Sequence, residues 1–469
     1  MNFYSYLHIS FVMKNKISYL IIFFSLITYS QDNPIITSWL QNTSETGSYY
    51  FSGNSNPVSN DILVNCQSVE YSEDFVYIST QGIPAYPTGP FLDNNPSIAE
   101  AQNNIYKMPL NPQPNNGTPT STTGGNIGVF INGVALFDYR DGVAWNSNTN
   151  YLCGGPGNPP CPGGPMATQN WNRDAIPAEM GGFDCSKGHP AQGNYHHHQN
   201  PSAFKLDIEV VSDVCNLYDA EGLYAIDPNN HSPLIGYAYD GYPIYGAYGY
   251  KNSDGSGGVT RIKSGYQLRD ITTRANGPDV NQVITITQGP NSGDQKTLFL
   301  GYFREDYEYI EHPDEEEYLD EHNGRYCVTP EYPEGIYAYF ATVDENWNSA
   351  YPYAVGPTFY GIYENRIVNN INESTTEYLS NNNFEINQLG VSVIPNPASD
   401  LIAVQIQDLI TSDLTITLFD ISGKAIKNKK ISAGTTIAYF NTETFYDGVY
   451  LLNISSKNHS ISKRVIISR

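Results

Sequence analysis

The residues best suited to chemistry lie in one stretch, GGFDCSKGHPAQGNYHHHQNPSAF, from Gly181 to Phe204. If Asn194 to Gln199 is extended, His196 and His198 share one face of a strand, and Tyr195 and His197 share the other. Two imidazoles at i and i+2 on a rigid strand can reach one ion without backbone strain. His189, seven residues before His196 in a Gly-His-Pro sequence, is expected to fold back as a third ligand. Asp184 or Asp240 is expected to add an oxygen. Nitrogen and oxygen donors of this kind suit Cu(II) or Zn(II). A plainer reading stands beside this one: a Tyr-His run can be an interior layer in which each imidazole is satisfied by backbone or a tyrosine hydroxyl.

Asp240 lies within GYAYDGYPIYGAYGY, Gly236 to Tyr250. A carboxylate buried among aromatics must be paired, metal-bound or shifted in pKa. The tyrosines there, Tyr242 and Tyr245 among them, read either as a packed β-corner or as a surface that stacks on a sugar ring. An acid–base hydrolase pairing His196 or His198 with Asp240 is a further alternative. Familiar catalytic signatures are absent. The chain has no phosphate-cradling glycine loop, no GxSxG elbow and no HExxH. Glu305 to Glu321 is rich in acids but lacks EF-hand spacing and reads as a solvated segment.

The elements that must position these residues are short. Alternating apolar runs such as DFVYIST (Asp74–Thr80) and KLDIEVV (Lys205–Val211) sit between Gly, Pro, Asn and Asp clusters, which predicts a mainly β chain with long loops. The 469 residues suit two or three domains. Residues 1–30 read as a Sec signal peptide, with Lys14 and Lys16 ahead of an apolar run from Ile17 to Ile27 and Ser30 at the expected cleavage point. Met13 is the expected true start. Residues 31–362 form the body, 363–389 an Asn-rich linker, and 390–469 a compact tail.

The formal net charge is −24. It is concentrated in residues 31–389, which hold 14 basic against 42 acidic side chains, whereas the tail holds 8 against 6. A polyanion such as nucleic acid would be repelled. The six cysteines of an exported chain are expected to form disulfides. Cys153 and Cys161 flank a turn-forming GGPGNPP segment and are the expected pair; the other pairings stay open.

Two resemblances follow from these motifs. Tyr195, His196 and His198, with NGVALFD (Asn132–Asp138), GHP (Gly188–Pro190), LIGYAYDGYPIYG (Leu234–Gly246), LDEHNGR (Leu319–Arg325) and YPYAVGPTFYG (Tyr351–Gly361), make roughly 60–362 resemble the YHYH domain family. His197 stands where that family's motif has tyrosine. The resemblance implies no settled activity. A weaker copy of the motif, GIYAYFAT (Gly335–Thr342), has Ala338 and Phe340 in place of His196 and His198. In both copies the first tyrosine lies ten residues after a cysteine, Cys185 or Cys327, which suggests a duplicated fold in which only one half kept histidines at this motif.

The tail opens with PNP and continues through FDISGK and DGVYLL to a basic last strand. It resembles the type A sorting domain of type IX secretion substrates. That implies a small seven-stranded immunoglobulin-like β-sandwich, contact with the type IX machinery, and a protein released or held at the outer-membrane surface. The reading that emerges is a secreted YHYH-domain protein binding one Cu or Zn ion. A non-catalytic glycan- or small-molecule-binding surface module is the alternative.

Overall fold

A computed structural model describes residues 33–378 and 391–469, except 52–55, 92–97, 123, 156, 164–168, 202–227, 288–291, 364–366, 407–413, 422, 433–434, 436 and 456–459. The expected signal peptide, the strand at 205–211 and Cys215 lie outside the described residues. The chain is mainly β and divides into two compact units, residues 1–378 and 379–469. Among the described residues no helix is long and apolar enough to cross a membrane.

The first unit is organised on an eight-stranded sheet. Its strands are β1 (Asn126–Phe130), β2 (Ala135–Phe137), β3 (Gly188–Ala191), β4 (Asn194–His197), β5 (Leu234–Ala238), β6 (Pro243–Tyr245), β7 (Gly324–Cys327) and β8 (Ile336–Phe340). They lie in the order β3-β4-β2-β1-β5-β6-β8-β7. The inner strands are buried on both faces, so their apolar runs are nearly continuous rather than alternating.

That order is palindromic. β4 runs parallel to β2 and β8 parallel to β6, and every other neighbouring pair is antiparallel. The two halves also match in detail. The β1–β2 turn is closed by Gly133 donating to Phe130 and Val134 to the Asn132 side chain; in the β5–β6 turn Gly241 donates to Ala238 and Tyr242 to the Asp240 side chain. The fold is a duplication.

Each outer hairpin is fastened by a carboxylate, buried at Asp184 and half-buried at Asp320. Asp184 accepts from the backbone N–H of Ser186 and Gly188 and from the Tyr195 hydroxyl at 2.8 Å. Asp320 accepts from His322 and Gly324 N–H and from the Tyr337 hydroxyl at 2.9 Å. The glycines are required, because a Cβ at Gly188 or Gly324 would lie 2.4 Å from the tyrosine ring that crosses it. Tyr195 therefore corresponds to Tyr337, His196 to Ala338 and His198 to Phe340, as the repeated motif suggested. The cysteines do not correspond. Cys185 follows the fastening Asp184, whereas Cys327 ends strand β7, and the counterpart of Asp184 is Asp320.

Several expectations need correction. Cys153 and Cys161 are bonded to each other, and Cys185 is also disulfide-bonded. Cys66 and Cys327, however, are free and buried on different sheets, so six cysteines do not make three bridges. The segment expected as a linker is partly β: Ile367–Val368 and Thr376–Glu377 form the two edges of a five-stranded sheet with 104–109, 75–80 and 66–71. The acidic stretch is not simply solvated. Asp306 is fully buried against Arg274 at 2.6 Å, and Asp320 is the hairpin fastener just described.

The described residues of the second unit form seven strands, in a three-stranded and a four-stranded sheet. Alternate residues, including Ile402, Val404, Ile416, Leu418, Leu452 and Ile454, supply one buried cluster. The fasteners of the first unit, with a glycine under each tyrosine, lead to a prediction. Gly324→Ala should lower stability by about 1–3 kcal/mol, the range for forcing a group into a filled interior. Gly181→Ala, which meets open space, should change it little. Urea denaturation of both variants measures this.

Candidate metal centre

The β3–β4 hairpin turns through Gln192 and Gly193, both at positive φ (51° and 82°), as a two-residue type I′ turn requires. That turn sets the register, and the register places His189 directly opposite His196. His189 thus joins the group as a cross-strand partner within a strand. His198 follows β4 on the same face as His196. The three Nε2 atoms converge: His196 to His198 is 3.1 Å and His189 to His198 is 3.4 Å. All three ligand atoms lie within 4.8 Å of one another.

A fourth donor comes from a residue the sequence reading missed. Glu179 ends a short helix, Ala175–Glu179, whose N-terminus is capped by Asp174 accepting from Ile176 N–H. Its Oε2 lies 3.3 Å from His189 Nε2 and 3.6 Å from His198 Nε2. The Asp-Ala-Ile-Pro start of that helix is readable in sequence. The aim of one glutamate among 48 acids is not.

The hydrogen bonds decide which nitrogens are bare. His196 Nδ1 donates to the Asn194 carbonyl at 2.8 Å, and His198 Nδ1 donates to the Asp138 carbonyl at 2.7 Å. A carbonyl only accepts, so the proton of each neutral ring sits on Nδ1 and the Nε2 lone pairs point at each other. Protonation would relieve this, but burial, followed by the neighbouring histidines, holds His189 down to about 3 and pushes His196 well below the ordinary imidazole range. Burial lowers His198 as well. Bare lone pairs and a carboxylate therefore face one small volume. Phe137 stacks on His196 at 3.7 Å and Phe183 meets His189 edge-on at 4.8 Å, which walls off the imidazoles with apolar rings.

The spacing is informative. Four donors about 2.0–2.1 Å from a common centre in tetrahedral array are about 3.3 Å apart. Four of the six donor–donor separations span 3.1–3.6 Å, and the three histidine atoms all lie within 4.8 Å of one another.

The remaining candidates lie elsewhere. Asp184 spends both carboxylate oxygens on the hairpin fastening and on Gly89 N–H. Burial raises it to about 6. It holds Tyr195, on the face opposite the ligands. Asp240 accepts from the Tyr339 hydroxyl at 2.7 Å and from Gly361 N–H at 2.8 Å, in the half whose motif has Ala338 and Phe340 in place of the histidines. Neither aspartate enters the ligand group, and Asp240 is not paired with His196 or His198 for acid–base work. His197 faces the other way and meets the Tyr86 hydroxyl at 2.8 Å. Tyr245 is buried, its hydroxyl bonded to Thr329 and Glu331. Tyr242 instead lines a cavity of about 380 Å³ together with Tyr326, Tyr332, Tyr337 and Tyr360.

The hairpin, its Tyr195-His196 pair and the paired sheet halves fall inside residues 105–352, which match the family described as YHYH protein. The chain belongs to the YHYH protein family. Residues 392–468 match the secretion system C-terminal sorting domain. No curated protein matches the chain. The two matches together describe a YHYH protein exported through type IX secretion to the cell surface or the extracellular space.

The tautomers can be checked directly. In chelator-treated protein near neutral pH, long-range ¹H–¹⁵N correlation spectra should show His196 and His198 protonated at Nδ1. A proton on Nε2 of either ring would remove the lone-pair convergence.

Proposed function

We propose that this YHYH protein binds one divalent transition-metal ion through His189, His196, His198 and Glu179. The observation that carries the reading is the convergence of three imidazole Nε2 atoms, those of His196 and His198 left bare by their Nδ1 hydrogen bonds, with a carboxylate oxygen, four of the separations being 3.1–3.6 Å. The donor set suits zinc. Cu(II), the other candidate, favours a more tetragonal array with shorter edges. The second shell supports the same reading, since ligand histidines typically donate their other N–H to a carbonyl or carboxylate. Four protein donors leave no open coordination position, which favours holding an ion over hydrolysing a substrate.

Metal analysis of the purified protein should find about one equivalent of zinc or copper after loading and dialysis. His196→Ala/His198→Ala should abolish it, and Glu179→Gln should weaken binding by at least about tenfold. A metal that binds only the native state at a hundredfold excess over Kd stabilises it by about 2.7 kcal/mol, so the loaded protein should melt higher. Less than about 0.1 equivalent bound, with melting unchanged in the double histidine variant, would sink this reading.

A second reading is favoured by the tyrosine-lined cavity. Tyr326 keeps 63% of its surface exposed at the cavity wall, and the lining adds Asn33, Asn111 and Gln113 without any charged side chain. Aromatic faces beside neutral amides suit an uncharged sugar ring. Glycan-array binding that Tyr326→Ala abolishes would support it; an array without hits would remove it.

A further inference from the structure

The duplication asks what occupies the place of the metal group in the other half. Arg325 follows Gly324 as His189 follows Gly188, so a guanidinium stands where the first half has an imidazole. Arg325 is buried and donates to the carbonyls of Tyr250, Glu316 and, at 3.1 Å, Lys251. Its guanidinium carbon lies 5.6 Å from the ring centre of Phe340, the counterpart of His198.

The segments joined are the same in both halves. Glu316 lies four residues before the fastener Asp320, and Glu179 lies five before Asp184. Tyr250 and Lys251 belong to the chain leaving the β5–β6 hairpin. Asp138, whose carbonyl orients His198, belongs to the chain leaving β1–β2. Arg325 thus ties the edge strand β7, the approach to the fastener and the exit from the inner hairpin. The histidine–glutamate group ties the edge strand β3, the approach to its own fastener and the corresponding exit. In the second half the cation is part of the chain. In the first half the same position gathers four electron-pair donors, those of His189, His196, His198 and Glu179.

We infer that the ion of the first half is a structural cation, the counterpart of Arg325, whose work is to fasten the β3–β4 edge of the sheet, and that the second half takes none. This rests on the metal reading above and goes beyond it, because an ion can bind without holding the edge together.

Hydrogen exchange on the full-length protein, with zinc bound and after chelation, tests this alongside metal analysis. Chelation should speed exchange in residues 175–201 at least about tenfold while leaving 316–340 unchanged, because local opening follows the contacts that are lost. One equivalent of zinc bound, with exchange in 175–201 unchanged by its removal, would overturn the inference and leave the metal reading standing. A second equivalent that protects 316–340 would also overturn it. Absence of any bound metal would remove both.

Discussion

The carboxylate–tyrosine fastening at Asp184 and Asp320 is the interaction on which the first unit depends. Asp184 is buried and Asp320 half-buried, and each collects backbone N–H groups from the turn that follows it and a hydroxyl from a tyrosine on the next strand. A buried carboxylate is costly unless its lone pairs are met by donors. Here the donors come from both ends of one hairpin, so satisfying the carboxylate and closing the hairpin are a single event. The glycine under each tyrosine lets the ring cross the strand. The two outer hairpins are thereby set at opposite ends of one sheet.

The candidate centre is a consequence of that setting. With Tyr195 drawn to Asp184 on one face, strand alternation turns His196 to the other face, and His198 follows two residues on. The type I′ turn brings His189 across from His196. The short helix ahead of Asp184 supplies Glu179. None of these donors needs a long-range loop to find its place. All belong to the segment 174–198, whose backbone course is governed by the fastening.

Duplication explains why the two halves diverged where they did. The fasteners and inner turns are kept in both copies because both depend on backbone closure. The residues beyond them are free to differ once the position they surround is filled. In one half Arg325 fills it with donors aimed at carbonyls. In the other, His189, His196, His198 and Glu179 present acceptors. The tyrosine-lined cavity lies in the second half, beside Tyr337 and Tyr242.

Much of this was legible in the chain itself. The tail's seven strands followed from period-2 alternation between turns, because one face of each strand is buried and the other is not. The facing of His196 and His198 followed from the same two-residue period. The repeated Tyr-x-Tyr rhythm pointed to the duplication, although the cysteines suggested the wrong anchor, since equal spacing along a chain does not imply equal position in a hairpin with a longer loop. Pairings between distant segments were not legible. Asp184, close to the histidines in sequence, and Asp240, a carboxylate set among aromatics, were expected as ligands, but hydrogen-bond donors from Gly89, Tyr339 and Gly361 engage them. Cys66 and Cys327 were expected to take part in bridges of unassigned pairing, but both are free and lie on separate sheets. Local periodicity and turn chemistry thus determined which side chains share a face. Only the tertiary structure decided which acid faces the histidines, because that depends on where a helix end lies in space, and one glutamate among 48 acids carries no mark of it.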